Sequence, residues 1–311
     1  PRQGRVPRAD YSNGRAAKGY TCNAVEASHL GTTGGFKTFR YTDRAGRACA
    51  FYDGTLLFPT AVFHQGETGG VHVLDMSDPN RPIETARLVT PAMQSPHESL
   101  ALNPLRGLLA AGMGSPATAP GIVDVYDVSQ DCRQPVLKSS TPLGILGHES
   151  GFSPDGRTLW ISTTARAGVA AIDVSNPALP SVVSYDSTHT FHGMSFSADG
   201  NRLYGADLGA KRGLTILDVS QVQKRLANPV VKEVSNLTWP EVSIPQNTNA
   251  VTIKGHKYLI EFDEYARNVG SYTANDAVGA GRIIDIDNER KPRVVSNLRL
   301  EVNQPAARGT D

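Results

Sequence analysis

Apolar and polar residues along this chain come in short alternating bursts, and one burst recurs. VHVLDMSDPNRP (71–82), IVDVYDVSQDCRQP (122–135), VAAIDVSNPALP (169–180), LTILDVSQ (214–221) and RIIDIDNERKP (282–292) share a pattern. Each runs apolar residues into an aspartate, then one more apolar residue, then a polar turn that usually closes with proline. The aspartates are Asp75, Asp127, Asp173, Asp218 and Asp285, at steps of 52, 46, 45 and 67 residues. Upstream lies a second shared pattern: HESLALNPLRGLLAA (97–111), HESGFSPDGRTLWIS (148–162) and HGMSFSADGNRLYGA (192–206). A short alternating run, an Asp-Gly or similar turn and another run predict a hairpin. After the Asp-bearing strand come VLKSSTPL (136–143), PSVVSYDS (180–187) and RVVSNLRLEV (293–302), which read as outer strands.

Four strands per repeat of about 45 residues, with no helix between them, predict an all-β fold: a β-propeller of four-stranded blades. A pair of β-sandwiches also has many short strands, but it lacks a fixed period. Five repeats are readable. Residues 20–60 read as an irregular sixth or part of one, giving about six or seven blades. Either the N-terminal strand closes the ring or the sequence is expected to be truncated. VQKRLAN (222–228) predicts a helical turn or two between blades. In each repeat the aspartate is expected to cap the turn that follows, its carboxylate accepting backbone N–H groups.

Charge changes the picture only at the start. Residues 1–19 carry Arg2, Arg5, Arg8, Arg15 and Lys18 against Asp10 and show no hydrophobic periodicity. They read as a flexible basic arm preceding a single propeller domain over 20–311. The 311 residues hold 31 Lys+Arg against 30 Asp+Glu, a net charge of +1 with no basic stripe, which argues against a nucleic-acid partner. No apolar run is long enough for a transmembrane helix. There is no nucleophile elbow, P-loop or dinucleotide fingerprint, so no nucleotide cofactor is expected.

The LDMSDP, YDVSQD, IDVSNP, LDVSQ and IDIDNE phrases, with SPHESL, GHESGF and PGIVDVYD, resemble the LVIVD-repeat family of bacterial propellers over roughly residues 20–302. That resemblance implies an exported or envelope-associated, extracytoplasmic protein. It also implies a further blade beyond this point that the present sequence lacks. Of the three cysteines, the sequence allows Cys22 to pair with Cys49. Cys132 then has no evident partner, and an odd cysteine in an exported protein points to one outside the chain.

Three histidines share one column of the repeat. His148 and His192 each lie eight residues before the hairpin glycines Gly156 and Gly200, and His97 aligns through Leu108, Leu159 and Leu203. In a propeller the first strand of each blade lines the axis, so these imidazoles converge at one mouth. Neutral imidazole suits Fe, Cu or Zn, and His97, His148 and His192 are the candidate metal ligands. Glu98 and Glu149 follow two of them and would orient an imidazole by accepting its other N–H. His189 and Asn247, the latter at the matching column of the last repeat, are candidate binding residues at the same mouth. The arrangement is similar, in outline and not in motif, to the axial histidine sites of selenium-binding or methanethiol-oxidase propellers and of carotenoid-cleaving oxygenases. The competing reading is a ring of histidines that bonds neighbouring backbone and organises channel water. Glu261, Asp263 and Glu264 form an acidic cluster that would suit Ca²⁺, except that strand alternation splits it between two faces.

Two functions fit. One is a binding or scaffolding module whose partner, a protein or a small molecule, meets the loop-bearing face. The other is a metal-dependent oxidoreductase with an axial histidine-ligated ion.

Overall fold

The structure, a computed structural model, describes residues 7–19, 23–31, 35–54, 69–94, 96–113, 121–145, 147–163, 168–240, 242–264 and 278–300. Cys22, His64 and the chain after residue 300 lie outside them. The described residues form five four-stranded antiparallel sheets, each a simple meander, arranged as the blades of a β-propeller. The first blade holds β1 (Thr38–Thr42), β2 (Ala48–Asp53), β3 (Val71–Asp75) and β4 (Ile83–Leu88). The second holds β5 (Ala101–Asn103), β6 (Leu108–Gly112), β7 (Ile122–Asp127) and β8 (Val136–Pro142). The third holds β9 (Glu149–Phe152), β10 (Thr158–Ser162), β11 (Val169–Asp173) and β12 (Ser181–Asp186). The fourth holds β13 (Phe191–Phe196), β14 (Arg202–Asp207), β15 (Gly213–Asp218) and β16 (Lys232–Leu237). The fifth holds β17 (Ile244–Ile253), β18 (His256–Glu264), β19 (Gly281–Asp285) and β20 (Arg293–Leu298).

Residues 38–53 therefore supply the inner pair of the first blade, and each of the five readable repeats is one blade. Helix is confined to short pieces: α1 (Arg8–Ser12), α2 (Pro91–Gln94) and α3 (Ser220–Gln223), with a 3₁₀ turn at Ala16–Lys18. The helical turn read at VQKRLAN begins two residues early, as α3. Among the described residues no helix is long and apolar enough to cross a membrane.

The repeated aspartates do what turn chemistry demands. Asp75, Asp127, Asp173 and Asp218 each accept the N–H of the serine two residues on, at 2.8–3.0 Å, and Asp285 accepts that of Asp287 at 3.0 Å. The capped turn starts the chain back along the blade edge.

The middle strands are apolar on both faces because each face meets a different blade. Leu109, Leu159, Leu203 and Leu259, all fully buried, face the preceding blade. Phe51, Ala110, Trp160 and Tyr204, one place along the repeat, face the following one. Four core clusters result, joining blades one to two, two to three, three to four and four to five. On the far face of the fifth blade Phe262 stays 44% exposed. The outer pairing carries the same bulge in every blade, between Val73/Leu74, Val125/Tyr126, Ala171/Ile172, Ile216/Leu217 and Ile283/Ile284. Such a bulge twists the edge strand and blunts it against edge-to-edge pairing.

The cysteine expectation is corrected. Cys49, which opens the second half of its strand pair opposite Asp75, is joined by a disulfide to Cys132 in the turn after β7. The bond crosses the boundary between the first and second blades, and both sulfurs sit in the core cluster there. Beside it Asp43 accepts Cys132 N–H at 3.1 Å and Arg47 Nε–H at 2.7 Å, so one hairpin turn is tied to the next blade covalently and electrostatically.

In the acidic cluster of β18 two of the three carboxylates close on an arginine. Glu261 and Asp263 share a face and both pair with Arg282, which is buried and stacks 4.2 Å over the Trp239 ring. Burial and the neighbouring Asp263 carboxylate push Glu261 up to about 9, although Arg282 opposes the shift.

Candidate metal centre

In a meander the start of the inner strand shares an end of the blade with the connection from second to third strand. β2 and β18, which end at Asp53 and Glu264, therefore finish at the same mouth as the N-termini of the inner strands. β5 packs on β9, β9 on β13 and β13 on β17 around the axis. Small residues permit the close approach. Ser150 Oγ donates to Ser99 O, Ser162 Oγ donates to His192 O at 3.1 Å, and Glu98 bridges Glu149 in parallel fashion. A Cβ on Gly193 would stand 2.5 Å from Gln246 O, so only glycine lets β17 reach β13 beside His192.

The three aligned histidines do meet at this mouth. Ring centroids of His97 and His148 are 4.4 Å apart and those of His148 and His192 4.6 Å apart. His148 Nε2 and His192 Nε2 face each other at 3.3 Å. They do not form one three-nitrogen set, however. His97 and His148 form a group with Glu98, while His192 groups with Glu98 and Glu149, the ligand atoms in each lying within 4.8 Å of one another. The two carboxylates, expected behind the imidazoles, thus stand among them. Glu98 Oε2 lies 3.3 Å from His148 Nε2 and 3.4 Å from His192 Nδ1, and Glu149 Oε2 lies 3.9 Å from the same Nδ1.

These residues pass a test of fit to a cation. Glu98 Oε2, Glu149 Oε2 and His192 Nδ1 are buried, and none has a hydrogen-bond partner. Their residues are 8%, 1% and 5% exposed. Leaving such atoms unpaired costs roughly 1–3 kcal/mol each, more where charge is involved. A tetrahedral ion with bonds of about 2.0–2.1 Å holds its ligand atoms about 3.3 Å apart; Glu98 Oε2 stands 3.4 Å from His192 Nδ1, and Glu149 Oε2, at 3.9 Å, would have to move in by about half an ångström.

Titration follows from the crowding. Burial alone would raise the Glu98 carboxyl, but His148 and the charges of His192 and His97 outweigh it and hold it at about 2. Burial lifts Glu149 to about 7 against the pull of Lys37. Burial, reinforced by the charge of His148, drops His97 to about 4 and keeps its imidazole neutral, the form that binds metals. Burial works against a proton on His192, yet Glu264, Glu98 and Glu149 overcome it and raise that imidazole. An ion would satisfy the same attraction.

Three residues join the site that the sequence did not assign to it. Lys37 Nζ donates to Glu149 Oε1, and its own N–H is fixed by Asp53 Oδ1 at 3.1 Å. Gln246 Nε2 donates to Glu98 Oε1 at 3.2 Å. Glu264 Oε1 lies 3.4 Å from His192 Nε2, on the opposite strand face from Glu261 and Asp263. Of the two candidate binding residues, Asn247 sits beside Gly193 and its Oδ1 accepts Thr248 N–H at 2.8 Å. His189 turns away to Asp186 at 2.5 Å and to Glu233 at 3.6 Å.

No protein-family model matches the sequence, and no curated protein does. Solved structures do. The chain is similar to the periplasmic gluconolactonase PpgL of Pseudomonas aeruginosa, with a TM-score of 0.57 and 16% identity over 76% of this chain and 66% of that one. It is also similar to a putative 6-phosphogluconolactonase of Bacteroides uniformis, with a TM-score of 0.55 and 15% identity over 82% and 68%. A third likeness is the Cps50 (Swd1) β-propeller domain of Myceliophteria thermophila, with a TM-score of 0.53 and 11% identity over 88% and 75%. The chain spans about two thirds of the length of the first two. At these identities the likeness is one of fold.

Proposed function

We propose that this chain is an exported propeller of the LVIVD type whose axial mouth holds a transition metal ion and serves as a binding module. Its protein or small-molecule ligand meets the ion from the loop-bearing end. One observation carries this reading: three buried side-chain atoms without partners, Glu98 Oε2, Glu149 Oε2 and His192 Nδ1, converge on one point. Export is supported by the Cys49–Cys132 bond, since disulfides persist in oxidising compartments. Imidazole with two carboxylates suits Zn²⁺ or Fe²⁺ better than the thiol-seeking ions.

A second reading, a metal-dependent oxidoreductase, is favoured by the ligand count. Three protein atoms leave coordination positions open, as catalytic sites require and structural ones do not. The ion would supply the redox or Lewis-acid chemistry. Gln246 would hold Glu98 in place, and Lys37 would hold Glu149.

Elemental analysis of protein purified without chelators tests the reading, with His192→Ala alongside. At least one equivalent of metal per chain in the wild type, and a lower content in the variant, is the expected result. Metal-free wild type, or a variant whose metal content is unchanged with its fold intact, would sink it. Oxygen uptake across a substrate panel then separates the enzyme from the binder.

A further inference from the structure

We infer that the centre is dinuclear, with a second metal ion held by His97, His148 and Glu98 beside the ion held by Glu98, Glu149 and His192. The inference rests on the metal-binding reading and concerns its nuclearity.

Among the described residues five side chains offer ligand atoms at the mouth in two groups, which have only Glu98 in common. His97 and Glu149 belong to different groups, so the side chains as placed do not surround a single ion. Glu98 is built to serve both. Gln246 occupies its Oε1 at 3.2 Å, which leaves Oε2 to face His148 Nε2 at 3.3 Å on one side and His192 Nδ1 at 3.4 Å on the other. That oxygen is buried and hydrogen-bonded to neither. One carboxylate oxygen flanked by two ligand nitrogens, each in its own group, is the geometry of a bridging ligand.

The outer group has its own signs of construction. The His97 backbone sits at φ 49°, in the left-handed region that a residue with a Cβ disfavours. Its ring is packed by Phe36 at 4.2 Å on one side and by His148 at 4.4 Å on the other. Strain kept in place by packing is found where geometry serves a site. The imidazole so held makes no hydrogen bond among the described residues and is free to coordinate.

The test is a titration of chelator-stripped full-length protein with Mn²⁺, followed by calorimetry, elemental analysis and electron paramagnetic resonance. Wild type is expected to bind two equivalents per chain. At two equivalents its spectrum should show exchange coupling in place of the six-line signal of an isolated ion. His97→Ala and, separately, Glu149→Gln should each bind one equivalent and show the uncoupled signal. The second variant, at the inner group, guards against a folding defect in the first, and circular dichroism reports the fold of both. One equivalent in wild type, or two retained by His97→Ala, would overturn the dinuclear inference and leave a single-ion centre standing. No binding in wild type would overturn both.

Discussion

Reduction of the Cys49–Cys132 bond removes a crosslink between residues 83 apart in sequence. In the chain-entropy treatment a closed loop of that length constrains the unfolded state by about 4.5 kcal/mol at 25 °C. For 311 residues the unfolding entropy is on the order of 0.65 kcal/mol per kelvin, so the loss corresponds to a fall in Tm of about 7 °C. Replacing both residues by alanine also empties two fully buried sites in the cluster between the first two blades. That adds roughly 1 kcal/mol apiece and brings the fall to about 10 °C. Scanning calorimetry with and without reductant, and on the double variant, measures both steps. Thiol titration of the denatured, unreduced protein gives the pairing independently: one free thiol per chain, Cys22, is expected. Three free thiols, or a Tm that moves by less than about 2 °C on reduction, would refute the argument.

Gly193→Ala should destabilise by about 1–3 kcal/mol, because its Cβ would meet Gln246 O at 2.5 Å, and should loosen His192; urea denaturation and metal content would show it. Arg282→Met leaves Glu261 and Asp263 buried together without their cation, so a loss of about 3–5 kcal/mol is expected in the same urea assay, and less than 1 kcal/mol would contradict it. His189 is raised above its unfolded value of 6.5, chiefly by its hydrogen bond to Asp186, so its stabilisation is complete below that pH and fades as pH climbs through the raised value. Burial alone would raise Asp186, but its hydrogen bonds to His189 and Thr188 hold it below 3.8, so its share is lost only in acid. The Tm gap between wild type and His189→Asn should therefore be widest between about pH 4 and 6.5 and shrink above it; a gap that grows with pH would be the wrong sign.

The blade plan could be read from the sequence because turn chemistry is local: each repeated aspartate needs only the N–H two residues on. The shared histidine column followed from the same period. The first blade is less legible, since its β1–β2 hairpin lacks both the histidine shared by blades two to four and the Asp-Gly turn of blades three and four, and Lys37 lies just ahead of it. The outer-strand bulges left no trace either, because the inserted residues, Thr85, Lys138, Val183, Val234 and Val295, include no glycine or proline to mark them. Cys49 and Cys132 meet across a boundary between blades, and no pattern within one repeat reports on distance between two. Glu264 was noticed for its acidic neighbours, yet alternation on β18 sends it to His192 and sends them to Arg282.

Every blade lends a side chain to the axial mouth: Lys37 from the first, His97 and Glu98 from the second, His148 and Glu149 from the third, His192 from the fourth, Gln246 and Glu264 from the fifth. The chain is synthesised in that order. While it is still being made, the carboxylates at 98 and 149 can face each other, but no cup holding both is complete until residue 192 has left the ribosome and its strand has docked. An ion bound in the proposed cup would have to wait for the inner strand of the fourth blade, so a translation product that stops short of residue 192 would lack the cup.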